Sequence, residues 1–301
     1  MNSLQANICL VFVTLCWSTE VIIFACIPGT VPPFATTCIT SLAGAGLLVL
    51  CFYKRIIEEL KKDKAKIIKH CALLGVLNCT YNVLYLYGLK SFDVSSGAFT
   101  LSMTAVVLPV ILFTIKQKVS IKTWISALMV FIGIVLALGT TANVGQVQGA
   151  VLIGIGCIVR AIYIVILNRY ANENDPVAIS TFISGVVGIL SAIILFATEP
   201  GGFASIPWSK EIIASLAIYS YFIVGFAQTL NIFAQKKSTP ANATIIYSTE
   251  IVFSIIWGVV LPASIIDKTT VTPWILLGML MVVIGNIIEI VPSSKEAIDE
   301  A

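Results

Sequence analysis

Three ionisable side chains stand inside otherwise apolar segments: Glu20, Arg160 and Glu250. A charge at the centre of a bilayer costs roughly 2.5–3.5 kcal/mol on insertion scales, so such groups face protein or a water-filled path rather than lipid. Two carboxylates and one guanidinium offer two kinds of chemistry. A carboxylate in an apolar setting can take up and release a proton, and either sign of charge can pair with a charged solute. An aromatic ring stands one helical turn from each: Trp17 before Glu20, Tyr163 after Arg160 and Tyr247 before Glu250. A ring face beside a carboxylate can hold an organic cation, although rings at helical spacing also serve plain packing.

Neutral polar residues form a second pattern. Asn78, Tyr81, Asn82 and Tyr85 follow the i, i+3, i+4, i+7 spacing and make one polar stripe on an apolar helix. Gln228, Asn231 and Gln235 repeat it later in the chain. Such stripes either hydrogen-bond helices to one another or line a cavity. Their occurrence in equivalent helices of two halves favours cavity lining. Gly97, Thr100 and Thr104 give a milder version that reads as close helix packing. Glu289 sits near a span end, where it can snorkel to water, and Asp93 reads as a helix cap.

The elements that must position these residues follow from composition. Of 301 residues, 58% are hydrophobic and 11% charged, with a mean hydropathy of +1.00; a soluble chain carries roughly 25% charged residues. Ten segments of about 21 residues, the length a bilayer demands, use ~210 positions and leave only loops and tails. The apolar runs are 8–27, 34–53, 70–89, 95–115, 123–139, 149–168, 177–197, 212–233, 241–261 and 273–291. The expected fold is therefore all-α, a polytopic membrane protein with ten transmembrane helices. A cytoplasmic enzyme and a nucleic-acid binder are excluded, because the net charge of +3 is small and the basic residues are scattered. The first run has no basic segment before it and no small-residue cleavage site after it, so it reads as retained. Asp175-Pro176, Thr239-Pro240 and Thr272-Pro273 each place a capping side chain before a proline, a helix-start signal. Pro32-Pro33 marks the second span, and Pro109 lies deep in the fourth, where a kink is one outcome.

Lys and Arg set the orientation. Seven fall between Lys54 and Lys69, and the loops on that side carry fourteen in all, against three opposite: Lys90, Lys210 and Lys268. Both termini are thus expected in the cytoplasm, with the protein integral to the plasma (inner) membrane. The stretch 54–69 also holds Glu58, Glu59 and Asp63, and reads as a solvated, salt-bridged helix; an anionic-lipid or partner site is the alternative.

Residues 127–136 and 279–288 agree at five of ten positions, including Gly133 and Gly285, and each segment lies in the last span of its half. Gly88-Leu89-Lys90 echoes Ala234-Gln235-Lys236. Two five-span units follow, 1–141 and 148–292, with a cytoplasmic tail at 293–301. Five is odd, so the second unit inserts upside down. Inverted repeats let a secondary transporter alternate between inward-open and outward-open states.

On these residues the chain resembles the drug/metabolite transporter superfamily, specifically proteins with two EamA domains. Trp17-Ser18 is similar to the family's Trp-Gly-Ser, and both span endings, Gly133 and Gly285 match as well. Glu250 stands at the acidic position that family members often carry. There are departures: Ile251 replaces the family's proline, Gln117-Lys118 replaces its Gly-Glu before the fifth span, with no counterpart before the tenth, and its arginine in span two is missing. The resemblance implies a secondary transporter and separately supports a role for Glu250.

The eight cysteines show no metal-ligand pairing, and the one histidine, His70, rules out a His-based triad or a His-rich metal site. No phosphate-binding loop and no Gly-x-Ser-x-Gly occur, so no ATP-driven step, no cofactor and no enzymatic activity are expected. The expected function is export of small metabolites, either amino acids or organic cations and amphipathic compounds, by alternating access and with proton antiport at Glu250 and Glu20. The expected partners are a small-molecule substrate, the bilayer and protons, with the chain a monomer. Alternatives are uptake of choline-like cations, sugar-phosphate or nucleotide-sugar exchange, which needs more cavity cations than Arg160, and a non-transport intramembrane protein. The surplus of one acid favours cations, whereas Arg160 can pair with a carboxylate.

Overall fold

The computed structural model describes residues 2–89, 102–138, 144–263 and 271–291. The expectations for Lys90, Asp93, Gly97, Thr100, Lys268 and the tail 293–301 lie outside them. The described residues are helical throughout, without strands: α1 (Ser3–Ser18), α2 (Glu20–Ala25), α3 (Pro33–Leu89), α4 (Thr104–Thr114), α5 (Ile121–Leu138), α6 (Val144–Glu173), α7 (Pro176–Thr198), α8 (Lys210–Ile218), a π-helical segment (Tyr219–Ala227), α9 (Gln228–Gln235), α10 (Pro240–Tyr247), α11 (Thr249–Val260) and α12 (Pro273–Ile290). Six helices among the described residues are long and apolar enough to cross a membrane, and three shorter apolar helices accompany them.

The helix starts read from the sequence have the expected chemistry. Asp175 Oδ1 accepts from the N–H groups of Val177 and Ala178. Thr239 Oγ1 accepts from Asn242 at 3.1 Å, and Thr272 Oγ1 from Ile275 at 3.2 Å. In each case a proline follows at the first helical residue, where its missing N–H removes one orphan donor. Pro109 lies inside α4, which continues through it.

Helix α3 is interrupted at Phe52 (φ −129°, ψ 25°) and at Asp63 (φ −161°, ψ 87°). Asp63 Oδ1 accepts the Lys66 N–H at 3.0 Å and so restarts the helix. Between the interruptions lies a short basic helix. Arg55 reaches Asp175 at 2.6 Å, Lys66 reaches Glu173 at 2.9 Å, and His70 stacks on Tyr170 with ring centroids 3.6 Å apart. These contacts tie the basic segment to the α6–α7 turn.

The largest core joins α1, α3, α4, α6, α7, α9 and α10 through Leu10, Leu74, Leu108, Leu167, Ile183 and Ile232. Large apolar side chains also cover the outside: Leu50, Phe113, Ile121 and Val260 are each at least two-thirds exposed. A surface of that kind belongs in hydrocarbon. Helices α5 and α12 approach so closely that a Cβ on Gly133 would sit 2.6 Å from the Gly278 carbonyl oxygen, and one on Gly285 would sit 2.9 Å from that of Ser126. Small residues permit this backbone contact. The close approach corrects one sequence expectation. Glu289 does not snorkel; it is 1% exposed and accepts a hydrogen bond from Thr123 Oγ1 at 3.0 Å. Helix α5 closes over it before its carboxylate can reach water.

Candidate functional site

Both intramembrane acids sit at helix interruptions built from the same tripeptide, Ser18-Thr19-Glu20 and Ser248-Thr249-Glu250. Ser18 Oγ donates to the Leu15 carbonyl at 2.7 Å and Thr19 Oγ1 to that of Cys16 at 2.7 Å. Ser248 Oγ and Thr249 Oγ1 do the same to Ile245 and Ile246, both at 2.6 Å. Hydroxyls that turn back onto their own helix compete with its ladder and bend it. Glu20 therefore opens α2, and Glu250 lies in the first turn of α11. The two breaks are joined: Thr14 Oγ1 lies 2.9 Å from Thr249 Oγ1, and Trp257 Nε1 donates to Ser18 Oγ at 2.9 Å.

Arg160 enters from α6. Its guanidinium lies over the Tyr81 ring at 5.9 Å and over the Tyr247 ring at 5.8 Å. Among the described residues no carboxylate stands within ion-pair distance of it. Glu20 and Glu250 are near enough for their charges to act on Arg160, but Glu20 Oε1 instead accepts from the Tyr219 hydroxyl at 2.9 Å. Cation–π contact stabilises a desolvated guanidinium by about 2 kcal/mol, so the two rings supply part of what a counter-ion would.

The rings are held from behind. Gln235 Nε2 donates to the Tyr247 hydroxyl at 2.7 Å, and that hydroxyl donates to Asn231 Oδ1. Trp17 packs on Tyr247 with centroids 5.2 Å apart. Tyr163 packs on Tyr81 at 5.7 Å and accepts from Gln228 Nε2 at 3.1 Å. On α3, Asn78 Nδ2 donates to Tyr81 and Asn82 Nδ2 to Asn78 Oδ1. Tyr85 lies within reach of all three charges.

The structure thus gathers every site residue singled out in the sequence into one neighbourhood. Within it burial divides them. Asn231, Tyr163 and Tyr247 are closed off, whereas Glu20, Arg160, Glu250, Trp17, Gln228, Asn78, Tyr81, Asn82 and Tyr85 keep part of their surface open. Of all of them, Arg160 and Tyr247 line a cavity among the described residues. Beside Arg160 is a pocket of about 10 Å³, the room of one water. Ser102, Thr104, Ala105, Thr244, Tyr247 and Ser248 complete its wall.

Several residues of the site escape the periodicity reading. Tyr219 stands nine residues before Gln228, about 2.5 turns of α-helix, which puts it on the opposite face. The wider π-helical turn between them changes that register and turns Tyr219 toward Glu20. Trp257, Thr244 and Ser248 lack any stripe. The repeated Ser-Thr-Glu is a signal that the sequence did carry.

The EamA-like transporter family matches residues 4–139 and 147–289. A solved structure, described only as the crystal structure of a protein, superimposes over 95% of this chain and 97% of its own, with a TM-score of 0.76 at 17% identity. At that identity the likeness concerns the fold alone. No curated protein matches the chain. An all-helical integral membrane protein with both halves matched to one family of transporters, the chain belongs to the EamA-like transporter family.

Proposed function

We propose that the protein is a secondary active transporter that exports small organic solutes by alternating access, with protons as the coupling ion. One observation carries this reading: Glu20 and Glu250 stand at two matched helix interruptions that are joined through Thr14–Thr249 and Trp257–Ser18. Discontinuous helices meeting near the middle of a bundle are where transporters hold solute and coupling ions.

Ten crossings follow when α1 and α2 count as one and α3 as two, split at Phe52 and Asp63. The apolar run that ends in α4, then α5, α6, α7, Lys210–Gln235, Pro240–Val260 and α12 supply the rest. Units 1–141 and 148–292 are then inverted copies, with both termini and the tail 293–301 cytoplasmic, in the plasma membrane of a monomer. Sugar-phosphate or nucleotide-sugar exchange is the weaker reading, because Arg160 is the one cation in the described cluster.

The test is solute efflux from proteoliposomes under an imposed pH gradient. Glu250→Gln abolishes gradient-driven flux while leaving exchange between equal solute pools intact. Gradient-driven flux that is unchanged in Glu250→Gln removes the proton-coupling part of the reading.

A further inference from the structure

We propose that the pocket beside Arg160 is the subsite for a carboxylate of the transported solute, which makes the substrate class carboxylate-bearing molecules rather than simple organic cations. This rests on the transport reading above and deepens it. The pocket wall holds Arg160, Ser102, Thr104, Thr244, Ser248 and Tyr247; among the described residues no acidic side chain lines it. The guanidinium fork matches the two oxygens of a carboxylate, to which it bonds in bidentate fashion; the Thr244 and Ser248 hydroxyls donate to their own helices and shape the wall.

Arg160 is held back from its internal acids. The Tyr81 and Tyr247 faces flank the guanidinium. Asn231 and Gln235, both buried, pin the Tyr247 hydroxyl, so the ring does not swing and let the cation drift toward Glu250. Glu20 is engaged by Tyr219. Two acids and one base could form an internal salt bridge, and among the described residues Arg160 forms none.

The ligand is a carboxylate rather than a phosphate ester. One guanidinium offsets a single negative charge, and a dianion would face Glu20 and Glu250 with a charge left over. The same two acids suit an ammonium elsewhere on the solute. The pocket has the room of one water in this arrangement, so a carboxylate requires the wall to open.

The test uses the purified full-length protein and two matched pairs of probes, glycine betaine with choline and leucine with leucinamide. Within each pair the ammonium end is kept and the carboxylate is lost. Calorimetric titration is expected to find the carboxylate member bound at least about tenfold more tightly, the usual worth of a charge-assisted bond. Arg160→Gln erases the difference within each pair, and Arg160→Lys retains part of it. The comparison on the unmodified protein needs no variant to fold. Choline and leucinamide bound as tightly as glycine betaine and leucine, discrimination that persists in Arg160→Gln, or no binding of either carboxylate by monodisperse protein each overturns the proposal. Counterflow of the same probes in proteoliposomes reads transport separately. Selective binding without flux retires the transport reading and keeps the subsite, whereas flux of the cations alone keeps transport and retires the subsite.

Discussion

The Tyr219 hydroxyl donates to Glu20 Oε1 at 2.9 Å, linking the first residue of a π-helical segment to the first residue after a helix break. Both partners come from irregular backbone, and each irregularity is needed for the bond. Hydrogen bonds to charged groups contribute about 1.5–3 kcal/mol. Tyr219→Phe is therefore expected to lower Tm by several degrees, with Glu20→Gln losing less because its amide oxygen still accepts from Tyr219. If Tyr219→Phe matches the wild-type melt and its flux is unaltered, the bond plays no part in the native state.

The Tyr247 hydroxyl, Asn231 and Gln235 act as one buried unit. Breaking such a unit at one member leaves the others unpaired, at about 1–3 kcal/mol. Gln235→Leu and Tyr247→Phe should each destabilise, and the double variant should lose clearly less than their sum. Additive losses in a double-mutant melt would show that the three groups are independent.

Glycine positions give a sharp contrast. Gly133→Ala puts a methyl 2.6 Å from a backbone oxygen of α12, which has no flexible end to yield. Overpacking of that kind costs about 1–3 kcal/mol. Gly46 in α3 has nothing within 4 Å of its added Cβ, so Gly46→Ala gains helix propensity, about 0.8–1.0 kcal/mol. Thermal melts of the two variants should move in opposite directions.

Asp175 has two roles that salt separates. It caps α7 through Val177 and Ala178, and it pairs with an exposed Arg55. Exposed pairs contribute at most about 1 kcal/mol and are screened, while a lost cap costs about 0.5–2 kcal/mol. Arg55→Ala should matter little, and less still at high salt. Asp175→Ala should lower Tm at any salt concentration, and a loss that vanishes at high salt would mean that the cap contributes nothing.

Much of the architecture was legible in the chain. The runs 123–139, 177–197, 212–233, 241–261 and 273–291 mark their helices to within a few residues, because the length of a hydrophobic segment and its proline-led starts are local properties. Pro176, Pro240 and Pro273 begin their helices as read. The proximity of Trp17, Tyr247, Tyr163 and Tyr81 to one another was legible only as a shared apolar interior, and their contacts came from packing. Glu289 was misread because its burial depends on how near α5 and α12 approach. Tyr219 was missed because helical phase carries across a segment only while the residues per turn stay constant.

Arg160 marks the boundary between the two kinds of information. Composition and spacing place one guanidinium and two carboxylates within apolar runs, because each position in a run is set by local order along the chain. Whether they neutralise one another is not a local property. It depends on two rings from α3 and α10, and on amides from α9 that hold one of them. Distances between residues far apart in sequence arise from packing, and over a few ångströms packing separates an internal ion pair from a cation held apart from its acids.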